Sequence, residues 1–239
     1  MTGLVVRDLI VGRDAFRAGP VSFDAPPGAF VAAIGPNGGG KTTLLRTLAG
    51  LLPPVAGRVD APPGAAYLPP PGALVADLPT EHVVALGRAP RRGWSPVLGA
   101  SDHAAARDAL DRLGIADLAA RPFDRLSSGQ QQLALVARLV VQDARVCLLD
   151  EPTAMLDPPH AAAVERALRR LSGEGRVVVI STHHLDLARR ADLVVAVGAT
   201  VRVGLPDEML SASALSALYG APVDLCPCCG QPVGGSTST

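Results

Sequence analysis

The hydrophobic positions of the chain fall into short unbroken runs and longer stretches of helical periodicity. The segments "LVVRDLIV", residues 4–11, and "VSFDA", residues 21–25, are typical of strands that open a sheet. "GAFVAAIG", Gly28 to Gly35, is short, apolar and bounded by glycine, as a buried strand is. "KTTLLRTLAGLL", residues 41–52, then carries leucines at helical spacing. The pattern predicts a strand, a glycine-rich loop and a helix in direct succession.

The second half of the chain repeats the strand and helix alternation. "ARVCLLDE", Ala144 to Glu151, and "RVVVIST", Arg176 to Thr182, read as buried strands. Between them "PHAAAVERALRRLSGEG" predicts a helix that ends at glycine. Two buried strands joined by a helix are typical of a parallel sheet in an α/β protein.

The region between these halves has a different composition. Proline and glycine are dense from Pro53 to Gly72, which predicts loops around one short strand. Residues 77–126 are helix-like, and "SDHAAARDALDRLG" is predicted to begin with a Ser101 cap and to end on Gly114. We therefore expect one domain over residues 1–221, a helical subdomain inserted at about residues 75–140, and a poorly ordered tail over residues 222–239.

Composition narrows the class of protein. The 239 residues suffice for one sizeable domain or one with a subdomain, and 22 basic against 22 acidic residues give no sign of nucleic-acid binding. Hydrophobic residues make up 48% but are interrupted, and no run approaches the length of a membrane span. The N-terminus lacks the shape of a signal peptide, so we expect a soluble, cytosolic protein.

The glycine-rich loop fits the pattern G-x-x-x-x-G-K-[ST] from Gly35 to Thr42. Glycines allow successive backbone N–H groups to point inward, and together with the following helix N-terminus these donors attract a polyanion. Lys41 would then reach the β- and γ-phosphates, and the Thr42 hydroxyl would contact Mg²⁺. The alternative is a glycine-rich turn with a chance lysine. The predicted nucleotide-binding residues of this loop are Gly35, Pro36, Asn37, Gly38, Gly39, Gly40, Lys41, Thr42 and Thr43.

Two acids follow the apolar run of "VCLLDEP". In open α/β sheets ligands bind at the carboxyl ends of the strands. Asp150 can hold Mg²⁺ directly or through water, and Glu151 can orient or deprotonate a water molecule. The alternative is that this pair only caps the next loop.

Two further polar segments flank predicted elements. In "LSSGQQQ", residues 126–132, Ser128 and Gln131 have the spacing of a capping box, so the segment either caps a helix or has a further role. In "STHHLD", residues 181–186, a histidine after a buried strand can donate to a γ-phosphate or simply belong to a loop.

The order of GPNGGGKT, LSSGQ, LLDEP, MLD and STHH resembles the ATP-binding-cassette ATPases over about residues 3–221. The resemblance implies an α/β fold: a P-loop NTPase (RecA-like) core with a helical subdomain insert and an N-terminal antiparallel β element. It also implies a Walker A loop at Gly35–Thr42, a signature motif at Leu126–Gln130, a Walker B strand ending at Asp150, the catalytic Glu151, a D-loop at Leu156-Asp157 and a switch histidine at His183.

The resemblance further implies that two copies work as a pair with ATP and Mg²⁺ between them. Ser127 and Gly129 of one copy would close over the γ-phosphate held by Lys41 of the other. Ser128, Gln130 and Asp157 are further implied nucleotide-binding residues. The other implied partners are integral membrane permease subunits and, indirectly, an extracytoplasmic substrate-binding protein, with no nucleic acid. These partners would place the chain at the cytoplasmic face of the membrane.

"EHVVALGRAPRRGW", residues 81–94, resembles ATPases of importers for iron–siderophores, haem and cobalamin. ATPases of zinc and manganese importers are the second choice, and a non-transport or hydrolysis-impaired regulatory cassette protein is the third. Arg88, Arg91, Arg92 and Trp94 are either a solvated basic loop or a surface that docks the membrane subunit.

Three positions depart from the family pattern. Pro70 follows "YLP" where a glutamine is expected, and no glutamine precedes Gln130, so we expect slower hydrolysis or looser coupling to transport. The aromatic residue that usually stacks on adenine is missing near Gly12 and Arg13, which leaves Arg13 or Phe16 for this contact. The signature reads LSSGQ, and we expect a mild effect of Ser128.

The tail contains "CPCCG", with Cys226, Cys228 and Cys229. Thiolates suit soft metals, but three cysteines without a fourth ligand nearby do not complete a structural zinc site. A flexible tail with spare thiols is the alternative.

Overall fold

The computed structural model of the chain describes residues 3–72, 76–92 and 97–225. Two sheets organise it, a three-stranded antiparallel sheet and a six-stranded sheet that is parallel except at one edge. The strands are β1 (Leu4–Arg13), β2 (Phe16–Ala25), β3 (Phe30–Ile34), β4 (Ala56–Asp60), β5 (Ala66–Leu68), β6 (Val146–Leu149), β7 (Val177–Ser181), β8 (Leu193–Val197) and β9 (Val201–Gly204). The small sheet has the order β2-β1-β4, and the large sheet has the order β5-β6-β7-β3-β8-β9.

Helices cover the large sheet and extend from it. They are α1 (Lys41–Leu48), α2 (Thr80–Ala85), α3 (Ala100–Arg112), α4 (Ser128–Gln142), α5 (Pro158–Gly173), α6 (Leu185–Arg189), α7 (Pro206–Met209) and α8 (Ala212–Tyr219), with short 3₁₀ segments at Leu86–Arg92, Ala116–Leu118 and Phe123–Arg125. The predicted fold class, an α/β core with an N-terminal antiparallel element and helices inserted between its halves, is confirmed.

The central strands of the large sheet are buried on both faces. Along β3, Phe30, Ala32 and Ile34 belong to one hydrophobic cluster, while Val31 and Ala33 belong to the other. Strand β7 divides its residues between the two clusters in the same way. This burial explains why the parallel strands appear in the sequence as continuous apolar runs rather than as alternating patterns.

The inserted region is a group of mutually packed helices. Helices α2, α3 and α4 contact one another, and α4 also packs against α5 of the core. These helices run from Thr80 to Gln142. The division into a domain, a subdomain and a tail stays a prediction, and residues 226–239, with the three tail cysteines, lie outside the described residues.

One predicted helix start was wrong, and one leucine pattern extends beyond its helix. Helix α3 is capped at Gly99 rather than at Ser101, because the first-turn carboxylate of Asp102 accepts the Gly99 backbone N–H at 2.8 Å. Helix α1 ends at Leu48 although the leucine pattern continues to Leu52, because Gly50 adopts a left-handed φ of 72° that ends the helix.

Helices of the described residues offer no candidate for a membrane-crossing segment, since none is both long and apolar enough.

Candidate nucleotide site

The glycine-rich loop joins β3 to α1 at the carboxyl edge of the large sheet. Gly35 has φ 147°, and a Cβ there would lie 2.0 Å from the backbone oxygen of Val197 on the neighbouring strand. Gly40 caps α1 in a left-handed conformation and has no side chain to accept the first N–H groups of the helix. The loop therefore presents unfilled backbone donors at a positive helix end, the arrangement that binds anions.

Lys41 is the first residue of α1 and is 6% exposed. Its Nζ donates to the carbonyl oxygens of Gly35 at 2.8 Å and of Pro36 at 3.0 Å. Burial lowers the pKa of this ammonium group, and the negative charges of Glu151 and Asp150 oppose the shift. A buried cation held by neutral carbonyl oxygens gains from an anionic ligand, so the loop fits a phosphate group.

Asp150 directly follows β6 and is 1% exposed. Ser181, at the end of the adjacent parallel strand β7, donates its hydroxyl to Asp150 Oδ1 at 2.5 Å. The hydroxyl of Tyr67 donates to Asp150 Oδ2 at 3.3 Å, and Arg46 Nε donates to that hydroxyl at 3.4 Å. Burial raises the pKa of Tyr67, so the phenol keeps its proton at neutral pH. The Asp150 carboxylate is thus fixed from two sides.

Glu151 adopts a left-handed backbone, with φ 49°. Its N–H donates to the Ser181 hydroxyl at 2.8 Å, which holds this backbone in place. Its carboxylate Oε1 lies 2.6 Å from Nε2 of His183, which follows β7. The two predicted catalytic side chains are therefore in direct contact.

A cavity of about 330 Å³ lies over the glycine-rich loop. Its lining includes Pro36 to Thr43 of the loop, together with Arg13, Phe16 and Glu151. The Phe16 ring lies so close to Gly40 that a Cβ there would be 2.6 Å from it. Both candidate adenine contacts thus border the same space as the phosphate loop, and Asp14, which the sequence did not single out, borders it too.

The LSSGQ segment lies at the start of α4. Ser127 is the N-cap: its hydroxyl accepts the Gln130 N–H at 3.3 Å, and the Gln130 side chain accepts the Ser127 N–H at 3.1 Å. The capping box predicted at Ser128 and Gln131 is wrong by one residue, because Gln131 instead donates to the Phe123 carbonyl at 3.0 Å. Residues 127–130, all of them described, do not line the cavity of their own chain.

Asp157 is the N-cap of α5, and its carboxylate is shared between two groups of His160. It accepts the His160 N–H at 3.0 Å, and Oδ1 lies 2.5 Å from Nδ1 of the His160 ring. Both hydrogen bonds lower the pKa of Asp157, and the one from the His160 backbone N–H has the larger effect. The same imidazole fills the space beside Gly129, where a Cβ would lie 2.4 Å from the ring. His160 was missed in the sequence, although Asp-x-x-His at a helix start was its available signal.

A second cavity is an apolar groove of about 460 Å³ between the large sheet and the inserted helices. Tyr67 and Pro69 of the core and Leu86, Pro90 and Leu135 of the helical region are among its lining residues. Arg88, expected either in a solvated loop or in a docking surface, forms an ion pair at 2.8 Å with Asp102, which is buried. Trp94 lies outside the described residues, and the side chains of Arg91 and Arg92 are not described either.

Known proteins share sequence and fold with this chain. Residues 18–154 match the family described as ABC transporter. The hemin import ATP-binding protein HmuV of Streptomyces coelicolor is 37% identical over 87% of this chain and 79% of its own length. The zinc transport system ATP-binding protein TroB of Treponema pallidum is 37% identical over 72% of this chain and 70% of its own.

Two further similar proteins are an export protein and a transporter of known structure. The cytochrome c biogenesis ATP-binding export protein CcmA of Paracoccus denitrificans is 42% identical over 78% of this chain and 85% of its own. A solved structure, titled an inward-facing conformation of a metal-chelate type ABC transporter, has a TM-score of 0.85 with 28% identity and covers 95% of this chain and 94% of its own.

Proposed function

Because this chain belongs to the ABC transporter family, we propose that it is the ATP-hydrolysing subunit of an importer for a metal chelate, namely an iron–siderophore, haem or cobalamin. The observation that carries the ATPase part is the convergence of a buried lysine, a cavity over a glycine-rich loop, and a carboxylate in contact with a histidine at one edge of the sheet. The likeness to hemin import proteins and to the metal-chelate type transporter supports the cargo class.

We assign the chemistry to the side chains as follows. Lys41 and the backbone N–H groups of the glycine-rich loop hold the phosphates. Glu151 orients the attacking water and takes its proton, since of the two acids Glu151 is the residue that lines the cavity. His183 fixes the Glu151 carboxylate by their 2.6 Å contact and faces the terminal phosphate. Adenine lies against Phe16 or Arg13.

The donor set fits Mg²⁺ as well as nucleotide. The hydroxyl of Thr42 and the carboxylate of Asp150 are oxygen ligands, which this cation prefers. Asp150 is already held by Ser181 and Tyr67, so it does not have to be ordered on binding. Mg²⁺, when bound, supplies charge neutralisation of the phosphate oxygens.

A second copy of the chain completes the site in this proposal. Ser127 and Ser128 are exposed at the N-terminus of α4, a positive helix end, and do not line the cavity of their own chain. Two copies facing each other would bring Ser127, Ser128, Gly129 and Gln130 of one chain over the phosphates held by the other, with Asp157 nearby. Hydrolysis removes the charge that holds the pair closed.

The permease is proposed to dock on the apolar groove. The groove lies between the core and the inserted helices and is bordered by Leu86 and Pro90 of the segment that resembles metal-chelate importers. An apolar cleft of this kind suits a short helix of a membrane subunit. Docking there would hold the chain at the cytoplasmic face of the membrane, and an extracytoplasmic binding protein would act through the permease.

The enzymatic part is tested with purified protein. Glu151→Gln is expected to lower ATP hydrolysis by about 10²-fold or more while nucleotide binding persists, because the general base is removed and the loop stays intact. Lys41→Ala is expected to abolish tight nucleotide binding. An unchanged hydrolysis rate in Glu151→Gln would refute the assigned chemistry.

The cargo is tested by uptake in the native host. Deletion of the gene is expected to abolish uptake of one labelled chelate, haem, an iron–siderophore or cobalamin, and complementation with the Glu151→Gln form should not restore it. Loss of zinc or manganese uptake instead would favour the second candidate, which the likeness to TroB supports. Unchanged uptake of all of these, with retained nucleotide binding, would point to the regulatory alternative.

A further inference from the structure

Tyr67 occupies a position between the groove and the carboxylate assigned to the metal. Tyr67 lines the apolar groove, and its hydroxyl donates to Asp150 Oδ2 at 3.3 Å. The two residues are 83 positions apart and are brought together by the parallel pairing of β5 and β6, in which Tyr67 is opposite Leu148. The contact is therefore a product of the fold rather than of the local sequence.

Arg46 sets which way the Tyr67 hydroxyl donates its proton. Its Nε donates to the Tyr67 hydroxyl at 3.4 Å, and its guanidinium lies 5.9 Å from the centroid of the Tyr67 ring. A phenol that accepts a hydrogen bond from a cation must use its own proton toward another acceptor, and the acceptor in reach is Asp150. Arg46 and Tyr67 thus form a chain of donors that ends on Oδ2.

The two oxygens of Asp150 are held by different elements. Ser181 of β7 holds Oδ1 at 2.5 Å, and Tyr67 of β5 holds Oδ2. Without Tyr67 the carboxylate would keep, among the described residues, only the Ser181 hydroxyl as a side-chain donor and could rotate about its Cβ–Cγ bond. Pro70, three residues after Tyr67, has no side-chain donor that could replace the phenol.

We propose that Tyr67, supported by Arg46, is a positioning residue that fixes the Asp150 carboxylate for Mg²⁺. The inference rests on the proposed function only in taking the Mg²⁺ complex of ATP as the ligand. Tyr67 touches neither nucleotide nor metal in this arrangement, so its removal should alter the dependence on Mg²⁺ and leave the phosphate contacts of Lys41 and the glycine-rich loop intact.

The test is a titration of a fluorescent ATP analogue with and without Mg²⁺. For Tyr67→Phe the Mg²⁺ concentration that gives half of the metal-dependent gain in nucleotide affinity is expected to rise roughly 3- to 10-fold, within the range for loss of one ordinary hydrogen bond, which suits a donor–acceptor distance of 3.3 Å. The affinity measured in excess chelator should stay within about twofold of wild type. Arg46→Met should shift the Mg²⁺ dependence in the same direction by a smaller factor.

Tyr219→Phe is the matched control, because it removes the hydroxyl of the other tyrosine of the chain, which lies on α8. It should reproduce the wild-type Mg²⁺ dependence. Equal Mg²⁺ dependence in Tyr67→Phe and Tyr219→Phe would overturn the proposal, and so would a parallel loss of affinity with and without Mg²⁺ in Tyr67→Phe. Failure of wild-type protein to bind the analogue under either condition would refute the proposed function itself.

Discussion

Two glycines of the phosphate loop allow a sharp test of its geometry, because they share a positive φ and differ in their surroundings. Gly35 has φ 147°, and an added Cβ would lie 2.0 Å from the backbone oxygen of Val197. Gly38 has φ 75°, and a Cβ there would meet nothing within 4 Å. Alanine at either position must adopt an unfavourable positive φ. Only at Gly35 does its Cβ also collide with the neighbouring strand.

The conformational cost of alanine at a positive φ is about 1–2 kcal/mol. The collision at Gly35 adds about 1–3 kcal/mol, because the obstacle is main chain of β8 that cannot rotate away. We therefore expect Gly38→Ala to lower the free energy of unfolding by about 1–2 kcal/mol and Gly35→Ala by about 2–5 kcal/mol. The corresponding falls in melting temperature are about 2–8 °C and 4–20 °C for a chain of this size.

Urea denaturation of the nucleotide-free protein, followed by circular dichroism, measures both variants. Nucleotide binding should be lost in Gly35→Ala, since the loop must move away from β8, and only weakened in Gly38→Ala. Equal destabilisation by the two substitutions would refute the conclusion that the loop is wedged against Val197.

Two further predictions concern helix starts. Ser127→Ala should lower the free energy of unfolding by about 1 kcal/mol, because the Ser127 hydroxyl caps α4. Ser128→Ala, a change one residue away at an exposed site, should leave this free energy within about 0.5 kcal/mol of wild type in the same denaturation assay. The reverse order would support the capping box first predicted at Ser128 and Gln131. The pKa of Asp157 is lowered in the folded protein, so its contribution to stability is present above the unfolded value of 3.8 and is lost as pH falls through the folded value. In Asp157→Asn the melting temperature should therefore fall less between about pH 5 and pH 2 than it does in wild type. An equal fall of the melting temperature in the two proteins over this range would contradict the prediction.

The sequence was most informative where structure depends on near neighbours. The succession of β3, the glycine-rich loop and α1 was predicted correctly, because each element is encoded in its own short pattern. The same holds for the acidic pair after β6. Ser127 and Ser128 show the limit of local patterns, because Ser-x-x-Gln occurs twice in overlap and only the use of Gln131 by the Phe123 carbonyl decides between them.

Contacts between distant parts of the chain were not predictable in this way. Tyr67 reaches Asp150, and His160 fills the space at Gly129, only after the sheet and helices have assembled. Neither contact follows from spacing along the chain, since both depend on the register of neighbouring strands or on the packing of α4 against α5.

The imidazole of His160 also has a mechanical consequence. The ring contacts Gly129 at the start of α4 and is hydrogen-bonded to the carboxylate of Asp157 at the start of α5. The starts of α4 and α5 are therefore linked through a single ring. We therefore expect a partner surface that displaces the start of one of these helices to shift the start of the other as well.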